Sequence, residues 1–269
     1  MRVIAAGDDG GYHAIMILLT NDDGIRAPGI VAMYRALEAK NAVEVVAPET
    51  VQSATGHGIT LSGPLITHRV DVENAFVGTS VEGRPADCVK LAIAQLVKER
   101  PEYVVSGINS GANVGINVIY SGTVAAAIEA GFLGVQSFAV SLLLSKNVEP
   151  DYAAAAQVAI QTIDHIRTLI GDEPRVISIN IPSLRPGEKP LGTRVVKQSV
   201  APWVDAYEKR TDPRGKTYFW NASVFKLAAT EVDSDVAALR DGYVTVTPLQ
   251  FDMTDHARLQ SLAQRMEKR

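Results

Sequence analysis

Two adjacent carboxylates, Asp22 and Asp23, stand in the tetrapeptide Asn21-Asp22-Asp23-Gly24, directly behind the apolar run MILLT at 16–20. Like charges side by side repel. The pair is therefore either a solvated turn, which Asn, Asp and Gly favour, or a place where something positive binds. Other polar groups follow apolar runs in the same way. Gln52-Ser53 comes after VEVVAP, and Asn109-Ser110-Gly111-Ala112-Asn113 comes after YVVSGI. If those runs are neighbouring parallel strands, the three loops leave their carboxyl ends, where open α/β sheets bind ligands. Two carboxylates, a hydroxyl and an amide would then face one point. These are hard oxygen donors, suited to Mg²⁺, Mn²⁺ or Ca²⁺ rather than to a structural zinc.

A fourth group, Tyr120-Ser121-Gly122-Thr123, opens the helical stretch TVAAAIEA. Free amides and the positive dipole end of a helix attract anions; the simpler alternative is an N-cap with no ligand. Each feature alone has an ordinary explanation, and the case rests on their convergence. A cation facing a phosphate pocket is the arrangement of metal-assisted phosphoester hydrolysis. Other residues carry less. Cys88, in ADCVKLAI, reads as a small buried residue rather than a nucleophile. His57 is either a proton donor or a loop residue, and Glu129 reads as structural. Lys209, Arg210 and Arg214 read as a solvated hairpin face. No phosphate-loop signature and no G-x-S-x-G elbow occurs.

The elements that must position these residues follow from periodicity. The short continuous apolar run at 16–20 predicts a strand buried on both faces, 103–106 predicts another apolar strand, and 43–47, 137–144 and 175–182 predict further strands. Between them, the spacing of Ile30, Met33 and Leu37 predicts a helix opened by Pro28. Val89, Ile93 and Leu96 predict a second over 86–98. The stretch 123–130 predicts a third, with Gly131 as its C-cap. Ala159, Ile163, Ile166 and Ile170 predict a fourth over 151–170. Alternation of strands and helices predicts an α/β protein, a Rossmann-like three-layer sandwich with a mostly parallel sheet. Past residue 182 the pattern changes. Alternating residues around Asp212-Pro213-Arg214-Gly215 predict a β-hairpin arm at about 193–225, and YVTVTPL predicts a late strand. The tail at 254–269 is amphipathic, with Leu259, Leu262, Ala263 and Met266 on one stripe. That stripe packs either on a partner subunit or on its own chain. The expected organisation is one α/β domain over 16–269, with core segments at about 16–182 and 242–253. Residues 1–15, rich in Gly and Asp, are expected to form a disordered extension or to follow a mis-assigned start.

Composition narrows the function classes. A net charge of −4 argues against a broad basic face for duplex nucleic acid. The single cysteine permits no intrachain disulfide. No apolar run reaches the roughly 18–20 residues of a membrane span, and no secretory signal is read at the N-terminus. The expected location is the cytoplasm.

In order, ILLTNDDG, PADCVKLA, VVSGINSGANVG, YSGTVAAAIEA, TDPRGKTYFW and GYVTVTPL resemble the SurE family (survival protein SurE, 5′-nucleotidase) over about residues 16–265. The resemblance implies a divalent-metal-dependent phosphatase for nucleoside 5′- and often 3′-monophosphates, with polyphosphate as a further substrate of some members. It implies Asp22, Asp23, Ser53 and Asn109 as metal ligands, with Mg²⁺ or Mn²⁺ as the ion. It places Asn113, Ser121, Gly122 and Thr123 at the phosphate, with Asn109 serving phosphate as well as metal, and Asp22, Asp23 and Asn113 as catalytic residues. It also implies a homodimer or homotetramer exchanging the hairpin arm and C-terminal helix. The competing reading is a nucleotide- or phosphate-sensing module without turnover. The chain departs from the family pattern at Ser53-Ala54 for Ser-Gly, at Asn117 for an acidic residue, and at Gly83-Arg84-Pro85 for Gly-Thr-Pro. It departs again at Trp220-Asn221-Ala222 for Trp-Leu-Gly.

Overall fold

The computed structural model describes residues 15–267, apart from 73, 172, 174, 186, 202–205 and 222–230. The expectation for residues 1–14 lies outside the described residues, as does the arm beyond Asn221.

The first run forms strand β1 (Met16–Thr20). Helix α1 (Pro28–Glu38) begins with proline at its first position, where the missing N–H costs nothing. Strand β2 (Ala42–Pro48) follows, then an antiparallel pair that the periodicity does not announce, β3 (Thr67–Val72) and β4 (Phe76–Val81). Helix α2 (Pro85–Leu91) is shorter than the helix expected over 86–98. The chain widens into a π-helical turn at Ala92–Leu96 and is extended at Val97, so Val89 is buried but Leu96 turns outward. Strand β5 (Tyr103–Ser110) runs four residues past its expected end, through a register shift between Ser106 and Asn109. A short 3₁₀ turn at Gly115–Ile119 leads to α3 (Gly122–Phe132). Gly131 is not its C-cap: the helix continues through it, and Gly134, at φ 71°, supplies the left-handed residue. Strand β6 (Gln136–Leu142), helix α4 (Tyr152–Ile170) and strand β7 (Val176–Ile181) complete the expected alternation.

The nine-stranded sheet has the order β3-β4-β2-β1-β5-β6-β7-β11-β8, where β8 is Thr193–Val195 and β11 is Val244–Leu249. From β4 to β7 the neighbours are parallel; β3 and β11 pair antiparallel. β8, expected as the start of the arm, instead pairs with β11. The hairpin is β9 (Tyr207–Thr211) and β10 (Thr217–Asn221), a separate two-stranded sheet. Asp212 closes its turn by accepting from the Arg214 and Lys216 amides. Helix α5 (Asp235–Arg240) was not signalled by the apolar spacing, and α6 (His256–Glu267) ends the described chain.

Alternate strand residues serve opposite layers. Ile17, Leu19, Val45, Tyr103 and Val105 pack with Ile30 and Met33 of α1 and Ile163 of α4. Leu18, Val46 and Val104 pack with Val89 of α2 and Ala126 of α3. The helices therefore form outer layers on both faces, as in α/β layered folds. The order of connection reverses at β1, whose successor β2 lies on one side while β5 lies on the other. No helix among the described residues is long and apolar enough to cross a membrane.

The seating of α1 is tight. A Cβ on Gly29 would fall 2.0 Å from the backbone oxygen of Ile108. Helix propensity alone predicts that Gly29→Ala stabilises by up to ~1 kcal/mol. The close approach predicts the opposite sign, a loss of about 1–3 kcal/mol from overpacking, read as a lower denaturation midpoint.

Candidate functional site

The reversal of strand order at β1 leaves a crevice above β1 and β5, the position at which open α/β sheets bind ligands. A cleft of about 230 Å³ lies there, lined by Asp22, Asp23, Ser53, Asn109, Asn113 and Ser121, together with Asn117 and Tyr120. Six of the eight residues singled out from the sequence thus share one cavity. Gly122 and Thr123 stand behind Asp22 instead of on the cavity wall.

Asp22 is the most constrained of them, 5% exposed. Its Oδ1 accepts from Thr123 Oγ1 at 2.6 Å. A Cβ on Gly122 would meet Asp22 Oδ2 at 3.0 Å and Pro85 Cγ at 3.1 Å, so only glycine lets α3 begin this close to the carboxylate. Burial pushes the Asp22 carboxyl up to about 6, with Asp23's charge adding to the rise and the Thr123 hydrogen bond opposing it. Asp23 faces outward, with Oδ2 accepting from the Ser110 amide at 2.8 Å. The Asp22 carbonyl accepts from the Gln52 amide at 2.7 Å, which ties Ser53's loop to the acidic pair.

Asn109 Nδ2 donates to the Gly111 carbonyl at 2.6 Å, which leaves Oδ1 as the atom available to a hard cation. Asn113 is nine-tenths buried and held from three directions. Its amide donates to Asn180 Oδ1 at 2.8 Å, its Nδ2 to Ser141 Oγ at 2.9 Å, and its carbonyl accepts from Asn180 Nδ2 at 3.2 Å. Ser121 caps α3: its Oγ accepts from the Val124 amide at 3.1 Å, so its hydroxyl proton remains free to donate. Thr123 differs from expectation, because its hydroxyl proton is committed to Asp22. Its backbone amide and that of Gly122 open the helix, where no preceding carbonyl of the helix can accept them.

Several positioning groups escape motif reading. Asn180 interrupts the apolar run VISINI and Ser141 the run SFAVSL, and a buried polar residue inside such a strand is the signal available. Asp235, 1% exposed, accepts from the Gly115 and Ser199 amides and so anchors the loop after β5; nothing local in the sequence marks it. His57 pairs with Glu129 at 2.8 Å, and Lys90 pairs with the other oxygen at 2.9 Å. Glu129 is thus structural, as expected, and His57 pins Ser53's loop to α3. Cys88 is fully buried, which pushes its thiol well above the usual range.

The donors around the cleft are carboxylate, hydroxyl and amide oxygens on three strand ends, and two of them are mutually repelling carboxylates. That set fits a hard divalent cation. A separate group, Glu49, His68 and Glu82, has ligand atoms within 4.8 Å of one another but is exposed; none of its members lines the cleft.

The family described as "Survival protein SurE" matches residues 17–205. A protein named 5′-nucleotidase SurE from Nitratidesulfovibrio vulgaris (strain DP4) is 48% identical over 250 residues, covering 92% of this chain and 98% of its own. Another of that name from Natranaerobius thermophilus is 40% identical over 260 residues, covering 92% and 97%. The crystal structure of the SurE protein from Aquifex aeolicus superposes with a TM-score of 0.79 at 34% identity, covering 93% of this chain and 99% of that one.

The strain at Asp22 has a measurable sign. Its folded-state pKa of about 6 lies above the ordinary 3.8. The metal-free protein therefore loses stability as pH rises from about 4 through 6, by on the order of 2–3 kcal/mol. Asp22→Asn keeps an acceptor for Thr123 and removes the charge. In the absence of metal it is expected to melt higher than wild type at pH 7.5, with the gap closing by pH 4.

Proposed function

Because the chain belongs to the SurE family, we propose that it hydrolyses nucleoside 5′-monophosphates to nucleoside and phosphate, with Mg²⁺ or Mn²⁺ held by Asp22, Asp23, Ser53 and Asn109. The observation that carries this reading is the meeting, in one cleft, of those four donors with Asn113 and Ser121 at the start of α3. Nucleoside 3′-monophosphates and polyphosphate are further substrates on the strength of the resemblance. The cytoplasm is the proposed location.

When bound, the ion supplies positive charge to the phosphoryl group and lowers the pKa of a water enough for attack near neutral pH. The protein's own groups do the rest. Thr123 fixes the rotamer of Asp22 by donating to Oδ1. Ser110 fixes Asp23 through Oδ2, and the remaining oxygen of Asp23 would orient the attacking water. Asn113, with one amide hydrogen already held by Ser141, donates the other to a phosphoryl oxygen. Ser121 and the first amides of α3 add donors where negative charge builds, and preorganised donors of this kind stabilise the transition state.

Assembly as a homodimer or homotetramer is supported by what the chain leaves bare. Helix α6 buries none of its residues, with Leu259 52%, Leu262 60% and Met266 71% exposed. The hairpin likewise exposes Tyr207, Phe219 and Trp220. A helix of this length is marginal without tertiary packing, and contiguous apolar surface of this kind marks an interface.

Phosphate release from AMP is expected in Mg²⁺ or Mn²⁺ and not in EDTA. Asp22→Asn and Asp23→Asn are each expected to lower it by at least about a hundredfold while circular dichroism stays unchanged. Nucleotide binding with no phosphate released by the metal-loaded protein would move the assignment to a sensing module. For assembly, a chain ending at residue 253 is expected to elute as a monomer in light-scattering chromatography, where the intact protein elutes as a dimer or tetramer.

A further inference from the structure

The segment that leads into α3 is the 3₁₀ turn Gly115–Ile119, closed by Tyr120, whose amide donates to the Asn117 carbonyl at 3.0 Å. A 3₁₀ turn repeats every three residues, so its side chains sort into three faces. Gly115 and Val118 are buried, and Val118 packs with Val124 and Ala127 of α3. Ile116 and Ile119 form a second face outside the cleft lining, and Ile119 is exposed. Asn117 and Tyr120 form the third face, and both line the cleft. The turn therefore directs Tyr120 to the space that Asp22 and Asn113 share.

The backbone at Tyr120 is fixed while its side chain is left bare. Its carbonyl accepts from the Gly56 amide at 3.0 Å, which ties it to the loop carrying Ser53. A Cβ on Gly56 would fall 3.3 Å from the Ile119 oxygen, so that loop lies against the turn. Ser121 follows directly as the N-cap of α3, and Gly122 lies against Asp22. Tyr120 nevertheless stays 56% exposed. Among the described residues its ring stacks on no other ring, and its hydroxyl has no hydrogen-bond partner. Every other residue lining the cleft is polar or an alanine. A bare aromatic face on a fixed backbone, one residue before the phosphate end of α3, fits a flat ring carried one sugar away from a phosphoryl group.

We propose that Tyr120 is the stacking platform for the nucleobase, through which the cleft selects phosphomonoesters carrying a flat aromatic ring over base-free sugar phosphates. Every base has a π-face, so the platform serves purines and pyrimidines alike. The inference rests on the phosphatase reading above and names the residue that distinguishes nucleotides from simpler esters.

The test compares metal-dependent phosphate release from AMP, CMP and ribose 5-phosphate by wild type, Tyr120→Ala and Tyr120→Phe, with adenosine as a competing inhibitor. Wild type is expected to favour both nucleotides over ribose 5-phosphate in kcat/KM by about tenfold or more, the worth of one base–aromatic stack. Tyr120→Ala is expected to erase that preference through KM and to raise the inhibition constant of adenosine by a similar factor. Tyr120→Phe keeps the ring without the hydroxyl and is expected to retain both. Ribose 5-phosphate has no base to stack, so its turnover reports on the phosphate end of the cleft. A nucleotide-to-ribose 5-phosphate ratio and an adenosine inhibition constant both unmoved in Tyr120→Ala overturn the platform alone. So does an equal loss on all three substrates, since the ring would then serve the phosphate end. Release from none of the substrates by metal-loaded wild type overturns the phosphatase reading, and the platform with it.

Discussion

The burial of Asp22 beside Asp23 is the constraint around which the rest of the molecule is arranged. A carboxylate almost withdrawn from water, next to a second one, is held in an unfavourable state. Three features hold it there. The Thr123 hydroxyl satisfies one oxygen, Gly122 allows α3 to start against it, and the Gln52 amide clamps its carbonyl. Each comes from a different part of the chain, so the strained pair is maintained by the packing of the whole crevice. A cation would relieve the repulsion, and the proposed metal site turns this costly arrangement into a binding one.

The frame around the pair is rigid for a reason visible in the strands. β1, β5 up to Asn109 and the last four residues of β2 are buried on both faces, with alternate residues committed to opposite helical layers. A register slip of one residue would exchange the two sets, and with them the direction of every loop at the carboxyl ends. The loop after β5 is further tied to β6 and β7 through Ser141 and Asn180, and to α5 through Asp235. Asn109 and Asn113 therefore sit on a loop whose backbone is fixed at several points, as preorganised donors require.

The hairpin and α6 contrast with this frame. They carry aromatic and aliphatic side chains that nothing among the described residues covers. Segment 197–199, which precedes the hairpin in the chain, is tied to the loop after β5, because Asp235 accepts from both Ser199 and Gly115 and Gln198 donates to the Gly115 carbonyl at 2.8 Å. The root of the arm and the loop that carries Asn113 thus share one buried carboxylate.

The sequence by itself determined the alternation of strands and helices, the identity of the acidic pair and the loops that meet it. Continuous apolar runs and helical spacing are local, and so are turn residues behind a strand. It did not announce β3, β4 or α5: β3 keeps only Val70 buried and α5 has six residues, so neither leaves a long periodic signature. It also assigned Gly131 the role that Gly134 plays and let the second helix run past its π-helical turn. Only the tertiary structure decided that Thr123 serves Asp22, that Asn180 and Asp235 position the site, and that Tyr120 lines the cleft. Those facts depend on which strands are neighbours and which helix end reaches the crevice. That is a property of the tertiary fold, and contacts between residues far apart in the chain, 67 for Asn113 with Asn180 and 101 for Thr123 with Asp22, leave no local pattern to read.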